Sequence, residues 1–569
     1  MKVRIAESAG FCMGVRKAMD CVLDVSRGKN ATYTFGPLIH NPQALEMLES
    51  RHVYVAGEID ESLKGKTVVI RAHGVPPDVF DKLDEAGALI VNATCPNVMK
   101  SQRIIKKYIA MGYDVVIAGD HGHAEIDSLL GYSGNTATVT ANLEEASKLP
   151  RFDKVCVVAQ TTLNSARYHE IAEEICRHAR VCYVAHTVCP STERRQRDIR
   201  KLAEVTDATV VVGGKNSANT MRLAEISREL GQPTFLVEDV SELDMKALSK
   251  YIEIGVTAGA STPNWVIRDV VDAISNYRPT PQSLVTGFLM RMAFFAIEGN
   301  FVLCAGAVAL TYAMCLFMGV PPEARYYLMS FFFLFPLHAV NKYLEIDRKH
   351  RAINPLLKKY WRIYLTFAGI SVPLSLGITW YSGLMAYIIV MVSYLLGGLY
   401  SVRVIPIRWN TRFRSLRDIP GSKDIMIATA WTVAVVILPS ITHNIFPGIA
   451  VFLGAAYVFA LVLSRATILA MGGIESDKLV GMETIPVLIG RTNTIKILYI
   501  INLLLAICIT IFISLSGFLR SLIIVFPIIY MILSIRLLSK KGFFFRLYHQ
   551  LILDADFFLA GLMAYLFMR

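Results

Sequence analysis

From about Gly299 the chain consists mainly of long apolar segments, and no other feature restricts its fold as strongly. Nine segments read as membrane spans: approximately 299–319, 326–340, 363–381, 384–400, 425–441, 445–464, 497–515, 519–533 and 551–568. Most are long enough to cross hydrocarbon as helices, and the shorter ones can extend into flanking residues. Up to about Tyr277, by contrast, short apolar runs alternate with charged helical stretches. The 569 residues are 54% hydrophobic, with a mean hydropathy of +0.44, too apolar for a wholly soluble protein. Two domains are expected, 1–280 soluble and 281–569 in the membrane, joined by RPTPQS at Arg278 to Ser283.

The net charge of +12 does not point to nucleic acid, because the cations gather between apolar segments. The alternate connections beginning near Asn341, Arg403, Arg465 and Arg536 hold 21 Lys and Arg; the other four hold two, Arg325 and Arg520. This bias places the long loops and the first domain on the cytoplasmic side of the cell membrane. The opening MKVRIAESAGFCMGV has no long apolar core of a secretory signal, so the cysteines of this half are expected to be reduced.

Within the first half, strand-like runs at 67–70, 114–118, 154–158, 209–212 and 255–258 alternate with helical patterns, the α/β signature of parallel strands with functional loops at their carboxyl ends. Three cysteines, Cys12 in SAGFCMGVRKA, Cys95 in NATCPNVMKS and Cys189 in HTVCPSTERRQ, each precede a basic helix-prone run, at spacings of 83 and 94 residues. That is one unit used three times, and a thiolate at a helix start is stabilised by the helix dipole. No C-x-x-C pair is present, so a four-ligand structural zinc site is disfavoured, and three converging thiolates suit an iron–sulfur cluster with one open iron. Cys21, Cys156, Cys176 and Cys182 lie in apolar runs and read as ordinary buried cysteines.

Polar clusters follow the strands: GPLIHNP with His40, RAHGVP with His73, GDHGHAEI with His123 and Glu125, AQTTLN with Thr161 and Thr162, GGKNSANT with Ser217 and Asn219, and TAGASTPNW with Ser261. Several lead into helices, whose N–H groups form anion pockets suited to a diphosphate. Glu125 is the one carboxylate of these loops well placed to donate a proton.

These motifs, in order over residues 1 to about 277, closely resemble the 4-hydroxy-3-methylbut-2-enyl diphosphate reductase family (LytB/IspH). The resemblance implies a three-lobed α/β trefoil with a 4Fe-4S cluster on Cys12, Cys95 and Cys189. It also implies that His40, His73, His123, Ser217, Asn219 and Ser261 hold the diphosphate, with Thr161 or Thr162 and Glu125 near the hydroxymethyl group. Removing an allylic hydroxyl as water requires two electrons, a proton and a Lewis acid on the leaving oxygen. The chain has no flavin or nicotinamide motif, so a ferredoxin or flavodoxin is the expected electron donor.

The second half, an all-α bundle of about nine helices, resembles the UbiA superfamily of intramembrane prenyltransferases, through HAVNKYLEID, RDIPGSKDIMIATAW, ESDKLVGMETIPVLIGR and LDADFFLAGL. The resemblance implies Mg²⁺ held by two acidic motifs, here Asn341, Glu345 and Asp347 with Glu475 and Asp477. Lys342, Ala470 and Gly473 stand where that family carries further acids. The combined expectation is a reductase making five-carbon diphosphates, tethered to a bilayer domain that transfers a prenyl group to a lipid or aromatic acceptor. The alternatives are a non-catalytic anchor, a transporter with a redox-sensing cytosolic domain, or a zinc hydrolase fused to an anchor.

Overall fold

A computed structural model describes residues 1–26, 31–39, 41–49, 51–277, 292–349, 357, 359–400, 419, 421–445, 448–474, 476–477, 484–516, 519–538 and 546–568. The chain divides into two compact units, Met1–Pro279 and Thr280–Arg569.

The first unit contains three four-stranded parallel sheets, each built to one plan. In chain order, the first and third strands of a lobe lie side by side at its centre, and the second and fourth flank them. One sheet runs Val53–Ala56, Thr32–Phe35, Thr67–Ile70, Leu89–Asn92; the next runs Thr138–Thr140, Asp114–Ala118, Phe152–Ala159, Ala179–Val184. The third runs Thr234–Val237, Ala208–Val212, Glu253–Ala258, and its fourth position is filled by Lys2–Ile5 from the other end of the unit. Lys2 there pairs with Glu253 and Ile5 with Val256. The central strands are β-branched and wholly buried, as at Val68, Val69, Val116, Ile117, Val157, Val210 and Val211. Strands covered on both faces have this composition, and each such side chain contributes about 1.5–3 kcal/mol relative to exposure. The expected α/β trefoil is the fold observed.

The plan explains the sequence repeats. Each of the three cysteines follows a fourth strand: Cys12 after Lys2–Ile5, Cys95 after Leu89–Asn92, Cys189 after Ala179–Val184. The His40, His123 and Ser217 loops follow first strands, and the His73, Thr161 and Ser261 loops follow third strands. In parallel sheets all of these lie at carboxyl ends, beside the central strand pair.

One expectation fails here. Cys176 and Cys182 are joined in a disulfide, with Cα atoms 5.4 Å apart, and are neither free nor reduced. The Ser165–Arg177 helix ends one residue before the Ala179–Val184 strand, and that tight connection brings the two cysteines within bridging distance.

The second unit is helical. Among the described residues six helices are long and apolar enough to cross a membrane: Phe301–Met318, Trp361–Ser382, Ser422–Thr442, Ile449–Met471, Ile485–Ser516 and His549–Phe567. Two shorter apolar helices are Leu384–Leu399 and Leu522–Leu538. The six fall short of the expected nine spans because of those two and because Ala324–Lys349, although 26 residues long, ends in a charged stretch. Several hydroxyls inside the spans bond back to their own helix: Thr311 donates to Ala307 at 2.7 Å, Ser371 to Phe367 at 2.8 Å and Thr379 to Ser375 at 2.9 Å.

Candidate active site

Three helices of the first unit begin at the cysteines: Met13–Val25, Pro96–Ala110 and Pro190–Ala203, with Cys12, Cys95 and Cys189 as their N-caps. Pro96 and Pro190 take the first helical position, where a missing N–H is harmless. Each cysteine N–H donates to a third-strand loop: Cys12 to Ala260 at 3.1 Å, Cys95 to Ala72 at 3.0 Å and Cys189 to Thr161 at 3.0 Å. The main chain thus fixes the three residues and leaves their sulfurs for other partners.

The sulfurs of Cys12 and Cys95 meet over Gly14, where a Cβ would stand 2.6 Å from Cys95 Sγ and 3.9 Å from Cys12 Sγ. Glycine keeps this space open. Asn97 Nδ2 donates to Cys189 Sγ at 3.1 Å, joining the second helix start to the third. Arg195, almost wholly buried, donates to the carbonyl of Gly10 and to Ser191, clamping the loops of Cys12 and Cys189 together. Its cation also faces both thiols electrostatically. The donor set is three convergent cysteines, one cation and one amide N–H, which fits a sulfur-ligated multi-iron cluster: net charge and hydrogen bonds to sulfur are what tune such a centre. Among the described residues no three His, Cys, Asp or Glu side chains come together to hold a single metal ion. The dipole argument for Cys95 needs correction. Burial pushes its thiol up, and the N–H groups of Asn97 and Val98 only partly oppose this.

The candidate proton donor lies two hydrogen bonds from Cys189, through Thr161. Glu125 is 1% exposed and accepts from the Thr161 N–H at 2.7 Å and the Thr161 hydroxyl at 2.8 Å. Burial raises its carboxyl to about 7, against the opposing pull of those two donors. Thr161 therefore holds Glu125 with its N–H and hydroxyl and Cys189 with its carbonyl. Thr162 faces elsewhere, its hydroxyl accepting from Gln160 Nε2 at 3.0 Å.

The anion-binding candidates are only partly brought together. His73 and His123 stack edge to face with ring centroids 5.4 Å apart, and His123 caps its helix by accepting from the Glu125 N–H at 3.1 Å. Ser217 stands at the N-cap position of the Ala218–Glu229 helix, its side chain making no capping hydrogen bond, and Asn219 lies in the first turn. Asn219 Nδ2 and Ser261 Oγ are buried, in side chains 5% and 7% exposed, and neither atom has a hydrogen-bond partner. Two orphaned donors at carboxyl-end loops suit an anion that would accept from both. His40 lies outside the described residues.

In the second unit, Asn341 lies on the Ala324–Lys349 helix, as do Glu345 and Asp347, whose side chains are outside the description; Glu475 is outside it entirely. Lys342 donates to the Glu298 carbonyl. Asp477 is buried, accepts from Thr484 Oγ1 at 3.4 Å, and is electrostatically coupled to a second buried acid, Asp424. Sequence reasoning passed over Asp424, although it stands in a motif already marked. It also passed over Asn97 and Arg195, for which no pattern in a single sequence gives a signal. Deeper in the bundle, Arg465 and Asp554 form a buried ion pair at 2.5 Å and Trp431 Nε1 donates to His338 Nε2 at 2.9 Å.

Comparison with known proteins agrees with this division. Residues 3–275 match the LytB protein family and residues 345–542 the UbiA prenyltransferase family. The 4-hydroxy-3-methylbut-2-enyl diphosphate reductase of Alkaliphilus oremlandii is 40% identical over 279 residues, which is 48% of this chain and 100% of that protein. A solved (E)-4-hydroxy-3-methyl-but-2-enyl diphosphate reductase is 36% identical, covering 49% of this chain and 100% of that one, with a TM-score of 0.39. A UbiA homolog from Archaeoglobus fulgidus, solved with GPP and Mg²⁺, is 18% identical and covers 47% of this chain and 98% of its own, with a TM-score of 0.35. The chain belongs to the LytB family through its first unit and carries a UbiA-family domain in its second.

Proposed function

We propose that the first unit reduces 4-hydroxy-3-methylbut-2-enyl diphosphate to isopentenyl and dimethylallyl diphosphate. A 4Fe-4S cluster held by Cys12, Cys95 and Cys189 would supply electrons and a Lewis-acid site for the substrate hydroxyl. The observation that carries this reading is the Thr161 junction, which ties the buried Glu125 carboxyl to the backbone of a cluster cysteine. Glu125 holds the proton and the Thr161 hydroxyl passes it to the leaving oxygen. His73, His123, Ser217, Asn219 and Ser261, with His40, bind the diphosphate, with the Asn219 amide and Ser261 hydroxyl donating to its oxygens. The reaction takes in two electrons and two protons, breaks a C–O bond, forms a C–H bond and releases water. Purified anaerobically and reduced with methyl viologen, the full chain should turn over this substrate. A Cys95→Ser chain that kept full turnover would sink the assignment.

The second unit lies in the cell membrane, with the first on its cytoplasmic face, as the loop cations support. It transfers a prenyl group from a diphosphate to a lipid or aromatic acceptor; Asn341, Glu345, Asp347, Glu475 and Asp477 would hold Mg²⁺, which would neutralise the departing diphosphate. The buried Asp424 and Asp477 support an acidic site at this position. Asp477→Ala should remove the membrane prenyl products of the wild type. If those products persist unchanged, the unit is an anchor.

A further inference from the structure

Arg195 lies in the second turn of the Pro190–Ala203 helix and is 3% exposed. Its Nη1 donates to the Ser191 carbonyl at 3.3 Å and to the Ser191 hydroxyl, and its Nη2 donates to the Gly10 carbonyl. All of these acceptors are neutral. A cation this far from water is costly to hold unless a counter-charge meets it. Other arginines of the chain have one: Arg222, with a side chain 11% exposed, meets Asp120 at 3.4 Å and Glu225 at 2.8 Å, and in the second unit Arg465 meets Asp554. Among the described residues Arg195 forms no ion pair, and its Nε–H is buried without a partner.

The guanidinium is held between two cysteine loops. Gly10 stands two residues before Cys12 and Ser191 two after Cys189, so its hydrogen bonds fix it beside both. Cys12 and Cys189 stabilise its charge more than Asp198 does, three residues on along the same helix. The N–H groups that reach these sulfurs, that of Val15 on Cys12 at 3.4 Å and the Asn97 amide on Cys189 at 3.1 Å, bring no charge with them. Three thiolates around an oxidised 4Fe-4S core leave a net negative charge, and an added electron increases it.

We propose that this charge is the counter-ion Arg195 lacks, so that Arg195 holds the cluster by ion pairing and favours its reduced form. The inference rests on the reductase reading above. The step concerned is the entry of one electron from a one-electron reductant such as reduced methyl viologen, which is oxidised by that electron; no bond forms or breaks. Arg195 stays in place and keeps its charge through the step, because a guanidinium does not give up its proton in this range. Its attraction therefore grows as the cluster is reduced, and burial protects that attraction from salt.

The test uses the full chain in detergent, reconstituted anaerobically with iron and sulfide, as wild type, Arg195→Gln, Arg195→Met and Arg195→Lys. Glutamine and methionine remove the charge, whereas lysine keeps it and gives up the forked hydrogen bonding. Iron and sulfide per chain are measured first. Each loaded protein is then poised against one fixed ratio of reduced to oxidised methyl viologen, and its reduced cluster is counted by electron paramagnetic resonance. The neutral variants should show a reduced-to-oxidised ratio about tenfold below wild type, the scale of a lost charge-assisted interaction, and lysine should stay within about threefold. Neutral variants that take up no cluster while the lysine variant loads fully support the proposal as well, since the counter-ion is then needed for assembly. A loaded neutral variant with the wild-type ratio overturns it. So does a lysine variant that matches the neutral ones, in lost loading or in lowered ratio, because the clamp on the loops and not the charge would then be the cause. A wild-type chain that takes up no iron and sulfide would instead refute the reductase reading.

Discussion

The two units place polar side chains by opposite means. In the first, the backbone does the positioning: three cysteine N–H groups bond to third-strand loop carbonyls, and the Asn219 amide and Ser261 Oγ are left without partners, free for a ligand. In the second, several polar side chains buried among the helices are paired with one another. Arg465 is spent on Asp554, His338 on Trp431, and Asn502 on Ser464 at 2.8 Å. A polar residue in a loop at a strand's carboxyl end therefore points first to a ligand, whereas Arg465, His338 and Asn502 inside the bundle are accounted for by partners within it.

The sharpest way to break the first half of that comparison is Gly14→Val. Its side chain would occupy the space shared by Cys95 and Cys12, 2.6 Å and 3.9 Å from their sulfurs, so iron and sulfide per chain should fall to background while the lobes stay folded by circular dichroism. The second half is tested by Arg465→Met, which strands Asp554 and should cost about 3–5 kcal/mol in unfolding measured in detergent. Arg465→Met/Asp554→Leu should recover most of that loss. A single variant no less stable than the double would mean that the pair is not the constraint described.

Glu125→Gln comes next, with an expected fall in kcat of about a hundredfold, iron content and substrate KM being retained. Its pH profile sharpens the point. The carboxyl is raised to about 7, so the acid form dominates below that pH and is lost as pH rises through it. Wild-type kcat should decline on that alkaline side, and the glutamine variant should lack the decline. The smallest effect belongs to Cys21→Ser, a thiol on the Met13–Val25 helix outside the cysteine cluster, expected to change stability by less than about 0.5 kcal/mol and activity not at all.

The sequence made the trefoil legible because its repeats are repeats of strand position: a cysteine after every fourth strand and a polar loop after every first and third. His73, His123, Glu125 and Thr161 could be named for the same reason. Contacts between lobes stayed hidden. Arg195 reaches Gly10 across 185 positions and Asn97 reaches Cys189 across 92, and no local pattern encodes such a meeting. The Cys176–Cys182 bond was missed because the apolar runs around both residues suggested burial, whereas the turn between helix and strand set their separation. In the bundle, apolar length located the helices, but the short pair Leu384–Leu399 and Leu522–Leu538 and the charged end of Ala324–Lys349 blurred the tally of spans.

The third sheet is closed by Lys2–Ile5 lying against Glu253–Val256, and this gives the reductase unit a clock. The strand that leads into the first cysteine is made some 250 residues before the edge it joins. At about 5–20 residues per second this wait is roughly 10–50 s, during which two lobes can fold but the Cys12 loop cannot take its final position. Closing so long a loop is slow in its own right. Phe301–Met318, the first long apolar helix, follows the closing strand by some forty residues. Completion of the cysteine ring and the start of membrane insertion are thereby brought close together in time.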